Sequence, residues 1–296
     1  MIIKELKITN VSGDSIEFGR HFRLIDGFDL SGLSATVNIS TTTGNGARYK
    51  NTKLEPRDLD SSFFIFRDLN TNAWIEERRE ELYKVLNPLK NPMRLDFTTK
   101  GGSELYLNAE LLSTPILPQG FENDNKVWQK GLLQFSCSDP YIYEKAETKV
   151  DIALWVSNLE FPLEVVEEGI EVGYRSPSLI VNVLNDGSDT TGMIIRFRAL
   201  SKIVNPKLLN VNTYEELKLN TTMLSGDVIE VSTYTGKRNA LLIRNNVIID
   251  VFNMVDLYST WLQLEVGDNL YRYDADEGIL DYLEVSMAFT KKRIGV

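Results

Sequence analysis

Cysteine and histidine are almost missing from this chain: its 296 residues include one of each, Cys137 and His21. One cysteine excludes an internal disulfide framework and any thiolate-rich metal site. One histidine removes the commonest general base and any multi-histidine metal centre. Long hydrophobic runs are missing too; none approaches the roughly 18 residues that cross a bilayer, so no membrane insertion is expected. The stretch from Met1 to Asn10 alternates like a strand and lacks the apolar core of a leader, from which cytoplasmic synthesis is expected. Clustered positive charge is also scarce. Lys+Arg number 32 against 42 Asp+Glu, a net charge of −10. Residues 1–143 hold 17 against 19 (−2) and the remainder 15 against 23 (−8), which argues against a phosphate-binding surface in the C-terminal half and gives no nucleic-acid partner.

What is present is strand signal with turn punctuation. Ile2 to Ile8 alternates, Ser15 to Phe18 gives a short second strand, and Ala35, Val37 and Ile39 alternate with Thr36, Asn38 and Ser40. Ser40 to Asp58 is rich in Thr and Tyr and interrupted by Gly44-Asn45-Gly46, so it reads as a long hairpin or arm rather than a packed core segment. One helix is expected after Asn72 and before Pro88: Asn72 caps it, Glu76 and Glu77 suit its positive end, and Ile75, Arg79, Leu82 and Leu86 share a face. Strands resume from Met93 through Leu111. Beyond a weakly patterned Glu144–Ser178, ten short strands follow, including Trp261–Val266, Asn269–Tyr273 and Leu280–Thr290. Many short strands without helices indicate a β-sandwich or jelly roll.

The seam lies in Leu132–Lys145. Leu133, Phe135 and Cys137 alternate with polar neighbours, and Asp139-Pro140 then breaks the strand because proline lacks an amide donor and restricts its predecessor. Asp139, Pro140 and Tyr141 are the expected domain junction. The organisation expected is an N-terminal domain over 1–143, a connecting segment over 144–178 and a C-terminal domain over 179–296.

Candidate chemistry is thin. His21 stands between Arg20 and Arg23 and reads as a surface histidine; Cys137 falls on the inward set of its strand and reads as an inert core thiol. Asp274-Ala275-Asp276-Glu277-Gly278 spaces carboxylates as a calcium loop does but lacks the helices and glycine placement of one, so an acidic hairpin turn is expected. Glu167-Glu168 and the Glu76–Glu81 cluster do not form a convincing acid/base pair, and Gly44-Asn45-Gly46 lacks the lysine of a phosphate loop. Trp155 and Trp261 are weak sugar-contact candidates. No catalytic residue, cofactor or metal is expected, and the chain reads as no enzyme.

The order of features is nonetheless recognisable. An initial strand, the arm GARYKNTKLEPRDL, one helix, a strand ending FSCSDPYIY, and then FPLEVVEEGIEVGY, VNVLNDGSDTTGMIIRFRAL, NPKLLNVNT, LKLNTTMLSGDVIEVST and WLQLEVGDNLYRYD together resemble the phage distal tail protein (Dit) family of siphophage tail tips. The resemblance implies a mainly β fold: an N-terminal β-barrel-like domain with one α-helix and an extended arm, and a C-terminal galectin-like β-sandwich. It implies a structural virion protein at the tail tip, a homohexameric ring (single or stacked) joining the tail tube protein to a tail-associated or tail fibre protein, with receptor-binding proteins as further partners. The galectin label does not carry sugar binding with it, because this module has no histidine. Thr42, Thr43, Asn45, Arg48, Tyr49, Lys50 and Arg57 are the ring-interface candidates. The alternative is a carbohydrate-binding module for host cell-wall recognition.

Overall fold

The computed structural model of the chain describes residues 3–19, 21–67, 75–124, 127–153, 155–157, 173–175 and 180–296, with backbone alone for 153, 155–157 and 173–175. The chain divides into two compact units, one of Met1–Ala146 with Lys292–Val296 and the other of Glu147–Lys291.

The first unit contains β1 (Ile3–Thr9), β2 (Ser15–Phe18), β3 (Phe22–Asp26), β4 (Ala35–Thr41), β5 (Ala47–Leu54), β6 (Arg57–Phe66), α1 (Ile75–Val85), β7 (Met93–Thr99), β8 (Glu104–Leu111), β9 (Trp128–Cys137) and β10 (Ile142–Glu144). Antiparallel pairing orders its main sheet β2-β1-β7-β8-β9-β6-β3. The ends of that sheet curl together: Phe18 on β2 and Phe22 on β3 have ring centroids 6.0 Å apart, and Phe18 meets Phe63 of β6 edge-on at 5.6 Å. The result is the expected barrel-like sheet. Alternation makes its core, since Leu6, Ile8, Leu95, Phe97, Leu107, Leu133, Phe135 and Cys137 all turn inward. One close approach depends on glycine: Gly131 sits opposite Phe63 in the β6–β9 register, and a Cβ there would come within 2.3 Å of the Phe63 ring.

The helix presents the expected face. Ile75, Leu82, Val85 and Leu86 are buried, and half-buried Arg79 donates from Nε to Gln129 Oε1 at 2.5 Å. Arg78 and Glu81 form an i,i+3 ion pair at 2.8 Å. The expected cap, Asn72, lies outside the described residues. Past Asn87, Pro88–Lys90 makes a single 3-10 turn, with the Asn87 side chain accepting from Leu89 N at 3.0 Å.

The Asp139-Pro140 turn falls inside the first unit: β9 before it and β10 after it both pair with β8. The unit therefore runs past the expected limit at 143 to Ala146, and it also takes Lys292–Val296, because Ile142 and Tyr143 pair with Arg293 and Lys292. The sequence shows the Asp-Pro break but not this long-range pairing.

The second unit contains β11 (Thr148–Ala153), β12 (Trp155–Ser157), β13 (Gly173–Arg175), β14 (Ile180–Asn185), β15 (Ile194–Ala199), β16 (Ile203–Asn210), β17 (Glu216–Lys218), β18 (Thr222–Met223), β19 (Val228–Ser232), β20 (Asn239–Arg244), β21 (Val247–Asp250), β22 (Gly267–Glu277) and β23 (Leu283–Phe289). Two sheets carry the core, one ordered β11-β23-β15-β19-β20-β21 and one ordered β14-β22-β16-β17 with β18 against β16. Ile195, Phe197, Val231, Val285 and Met287 of the first and Val183, Leu208, Tyr271 and Tyr273 of the second are buried in one cluster. This is sandwich packing with inward and outward residues alternating.

Two expectations fail here. Trp261–Val266 is not a strand; Leu264 makes a single bridge to Thr191. The acidic turn at 274–278 is instead the end of β22, where Asp274 and Asp276 lie at 3.8 and 3.7 Å from Lys207 Nζ, and Asp276 lies at 2.6 Å from Lys218 Nζ. Cross-strand lysines neutralise the carboxylates that the sequence shows as a cluster. The turn comes at Gly278, with φ +117, where a Cβ would approach Lys202 O to 2.8 Å.

Asp227 is buried and gripped by a fork: Arg244 Nε donates at 2.8 Å and Nη2 at 2.5 Å, while Leu224 N donates at 2.7 Å. The Arg244 hydrogen bonds hold its carboxyl below the usual range. A carboxyl with a lowered folded-state pKa stabilises the fold above its unfolded value, ~3.9, and that stabilisation is lost as pH falls through the folded value. The urea midpoint of the wild type should thus drop more steeply than that of Asp227→Asn on acidification below pH ~4; parallel curves would remove Asp227 as a source of acid sensitivity. Gly131→Ala should destabilise the first unit by about 1–3 kcal/mol in denaturant unfolding, with Phe63→Leu in the same chain recovering part of the loss.

Candidate assembly surface

The arm is a two-stranded ribbon. Strands β4 and β5 pair with each other and belong to no larger sheet. Its base is closed by Glu55 N donating to Ser34 O at 3.0 Å, and its tip by Thr42 Oγ1 donating to Gly44 O and Gly46 O at 3.3 and 3.1 Å. Gly46, at φ +98, supplies the left-handed residue this tip needs.

Register makes the ribbon two-faced. Ala35 pairs with Leu54, Val37 with Thr52, Ile39 with Tyr49 and Thr41 with Ala47, and a bulge at Lys50 keeps Tyr49 in line with the rest. Direct partners share a face, so Ala35, Val37, Ile39, Ala47, Tyr49 and Leu54, with Thr41 and Thr52 among them, form a mainly apolar side. Thr36, Asn38, Ser40, Arg48, Asn51 and Lys53 form the polar one, where Asn38 Nδ2 donates to Asn51 Oδ1 at 2.7 Å. The apolar side is in water: Val37, Ile39 and Tyr49 are 55%, 60% and 61% exposed. An isolated hairpin is marginal in water, and one with an open apolar face is suited to being covered. Its charges are Arg48, Lys50 and Lys53, with no carboxylate among residues 35–54.

The structure distributes the sequence candidates unevenly. Thr42, Thr43 and Asn45 stand exposed at the tip, and Arg48, Tyr49 and Lys50 stand exposed on β5. Arg57 does not join them. It is 3% exposed, and its guanidinium donates to Leu30 O at 2.9 Å, Pro140 O at 3.3 Å and Ile294 O. Its donors are used inside the first unit, which removes it from any surface.

The junction candidates form a second cluster around Arg57. Asp139 accepts from Tyr141 N at 3.3 Å and from the Tyr143 hydroxyl at 2.6 Å. Burial and this Asp139 bond push the Tyr143 hydroxyl far above its ordinary pKa. Tyr143 stacks on Tyr106 at 5.3 Å, the Arg94 guanidinium lies 3.9 Å over Tyr106, and Lys292 Nζ lies 4.8 Å over Tyr141. Glu144 pairs with Arg293. The strand on which the chain leaves the first unit and the strand on which it returns are thus pinned side by side.

Cys137 is buried, and desolvation pushes its thiol up to about 12, with Glu110 adding to the rise. A thiol so placed is protonated at neutral pH and is a core residue, as expected. His21 is half-buried, and its carbonyl accepts from Phe66 N at 2.8 Å. Trp155 pairs through its backbone with Arg175. Trp261 is half-buried, with Phe252 stacked on it at 5.5 Å and the Arg238 guanidinium 5.4 Å from its centroid. Its ring is engaged within its own unit. Among the described residues no group of three or more His, Cys, Asp or Glu could hold a metal ion.

The sequence reading missed the apolar side of the ribbon. The alternation of Ala35, Val37 and Ile39 was visible, but it reads equally as a strand facing a core. Arg57, expected at the ring interface, is interior instead, because nothing local distinguishes a buried arginine from an exposed one.

Residues 186–292 match the family described as siphovirus-type tail component, C-terminal domain. Among solved structures the chain is similar to the SPP1 Dit protein, described as a paradigm of the hub adsorption apparatus in phages infecting Gram-positive hosts, with a TM-score of 0.67 at 15% identity over 98% of this chain and 99% of that one. It is also similar to the phage P2 baseplate in its activated conformation, with calcium (TM-score 0.57, 12% identity) and with strontium (0.56, 13%), over 99% of both chains in each case. At these identities the likeness is one of fold. No curated protein matches the sequence.

Replacing Arg57 with Met should lower the stability of the first unit by about 2–3 kcal/mol, since three carbonyls lose a donor. Hydrogen exchange should rise at Ile142–Glu144 and Lys292–Val296 together; unchanged exchange in the tail would show that Arg57 does not hold it.

Proposed function

From the premise that residues 186–292 form a siphovirus-type tail component domain, we propose that the chain is a structural virion protein of a phage tail tip, assembling into a sixfold ring that adapts the tail tube to the baseplate or tail fibre. The hub and baseplate folds it resembles support this reading. The observation that carries it is the ribbon: an amphipathic hairpin that contributes nothing to its own unit's core and exposes Val37, Ile39 and Tyr49. Such an element is built for contact with another chain. The ring contacts are assigned to Thr42, Thr43, Asn45, Arg48, Tyr49 and Lys50 with the apolar side beside them. The second unit offers the docking surface for receptor-binding proteins, and the assembled protein resides in the virion tail tip.

The carbohydrate-binding alternative needs an open aromatic platform, and Trp261 already stacks within its unit. The ring is tested by electron micrographs and by mass in solution. The intact chain should give sixfold rings with a central channel, and deletion of Thr41 to Thr52 should reduce it to the monomer mass. A hexamer that survives the deletion would overturn the role of the ribbon.

A further inference from the structure

The outward face of the β9 region has the complementary character to the ribbon. Leu133, Phe135 and Cys137 point into the core, so Leu132, Gln134 and Ser136 point out. Register extends that face on both sides. Ser136 lies between Asp58 of β6 and Glu110 of β8. Gln134 pairs with Asp60, and its carbonyl accepts from Leu112 N at 3.0 Å. Leu132 pairs with Ser62 on one side and bridges Ile116 on the other. Direct partners share a face. Three carboxylates, Asp58, Asp60 and Glu110, thus gather toward one end, and three exposed aliphatic side chains, Leu112 (60%), Ile116 (44%) and Leu132 (36%), toward the other.

Among the described residues none of those carboxylates has a Lys or Arg within ion-pair distance, and none of the three cations of the ribbon has an Asp or Glu within it. The carboxylates are met by hydroxyls instead: Ser136 Oγ donates to Asp58 at 2.8 Å and Ser138 Oγ to Glu110 at 3.0 Å. A ribbon of charge +3 with an apolar side therefore belongs to the same chain as a face that is acidic at one end and aliphatic at the other.

We propose that this outward face, centred on Leu132, is the receiving site for the ribbon of a second copy of this chain. Resting on the ring reading above, this names the far half of the contact. Val37, Ile39 and Tyr49 cover Leu112, Ile116 and Leu132, while Arg48, Lys50 and Lys53, whose long side chains reach round the edge of a two-stranded ribbon, pair with Asp58, Asp60 and Glu110. The contact is heterologous, ribbon to face, so it passes from copy to copy rather than ending at a dimer, as the ring reading requires.

The test mixes two single-cysteine additions in full-length protein, Ile39→Cys and Leu132→Cys, under mild oxidation, with Ile39→Cys mixed with Val247→Cys as the background pair. Native Cys137 is buried and does not compete. The disulfide-linked heterodimer of the first mixture should exceed that of the second at least tenfold. Equal or absent cross-linking overturns the receiving site. Charge reversal separates this from the ring itself. The triple change Arg48→Glu, Lys50→Glu, Lys53→Glu and the double change Asp58→Lys, Asp60→Lys should each weaken assembly at least tenfold, and their combination should recover it. Assembly lost on ribbon reversal but unaffected by Asp58→Lys, Asp60→Lys leaves the ring reading standing and rejects this face. Assembly indifferent to both rejects the ribbon's role and this receiving face together, and leaves the ring to other contacts.

Discussion

A single buried guanidinium ties together the base of the ribbon, the exit turn and the returning tail of the first unit. Arg57 begins the strand that follows the ribbon, and its donors reach Leu30 before the ribbon, Pro140 at the exit turn and Ile294 in the returning tail. These segments are far apart in sequence. A buried arginine is tolerated because its fork geometry satisfies several acceptors at once, and an arginine is not deprotonated to escape the cost. The base of the ribbon and the passage to the second unit therefore share one anchor.

Around that anchor the unit separates rigid from available surface. The barrel interior is closed by aromatic contacts such as Phe18–Phe63 and Phe28–Phe135 and leaves no room for a Cβ at Gly131. The ribbon sits outside this packing and keeps its apolar side open. An exposed element whose base is already held pays a lower ordering cost for any contact it makes. The paired Tyr143–Tyr106 and Glu144–Arg293 contacts do the same at the strands that lead to and from the second unit.

The acidity of the chain also becomes intelligible residue by residue. Much of it is neutralised across strands, as with Asp274 and Asp276 against the lysines of β16 and β17, or Asp227 in the Arg244 fork. Those groups serve the sandwich. Asp58, Asp60 and Glu110 are different, because among the described residues no Lys or Arg stands within ion-pair distance of them, and exposed leucine and isoleucine lie on the same face. Net charge alone does not separate the two kinds.

The sequence by itself determined the mainly β character, the single helix with its buried face, the inward Cys137 and the existence of an arm, expected over Ser40–Asp58. All of these follow from local rules: period-2 or helical alternation, glycine at a tip, proline at a stop. Only the tertiary structure decided which alternating strands meet a core and which meet water, so Val37 and Ile39 look the same in sequence as Leu95 and Phe97. It also decided that Arg57 is interior, that the 274–277 carboxylates lie along a strand opposite lysines, and that the last five residues return to the first unit. Each of these depends on a partner tens to hundreds of residues away. Register and long-range pairing select that partner, and no local pattern encodes it.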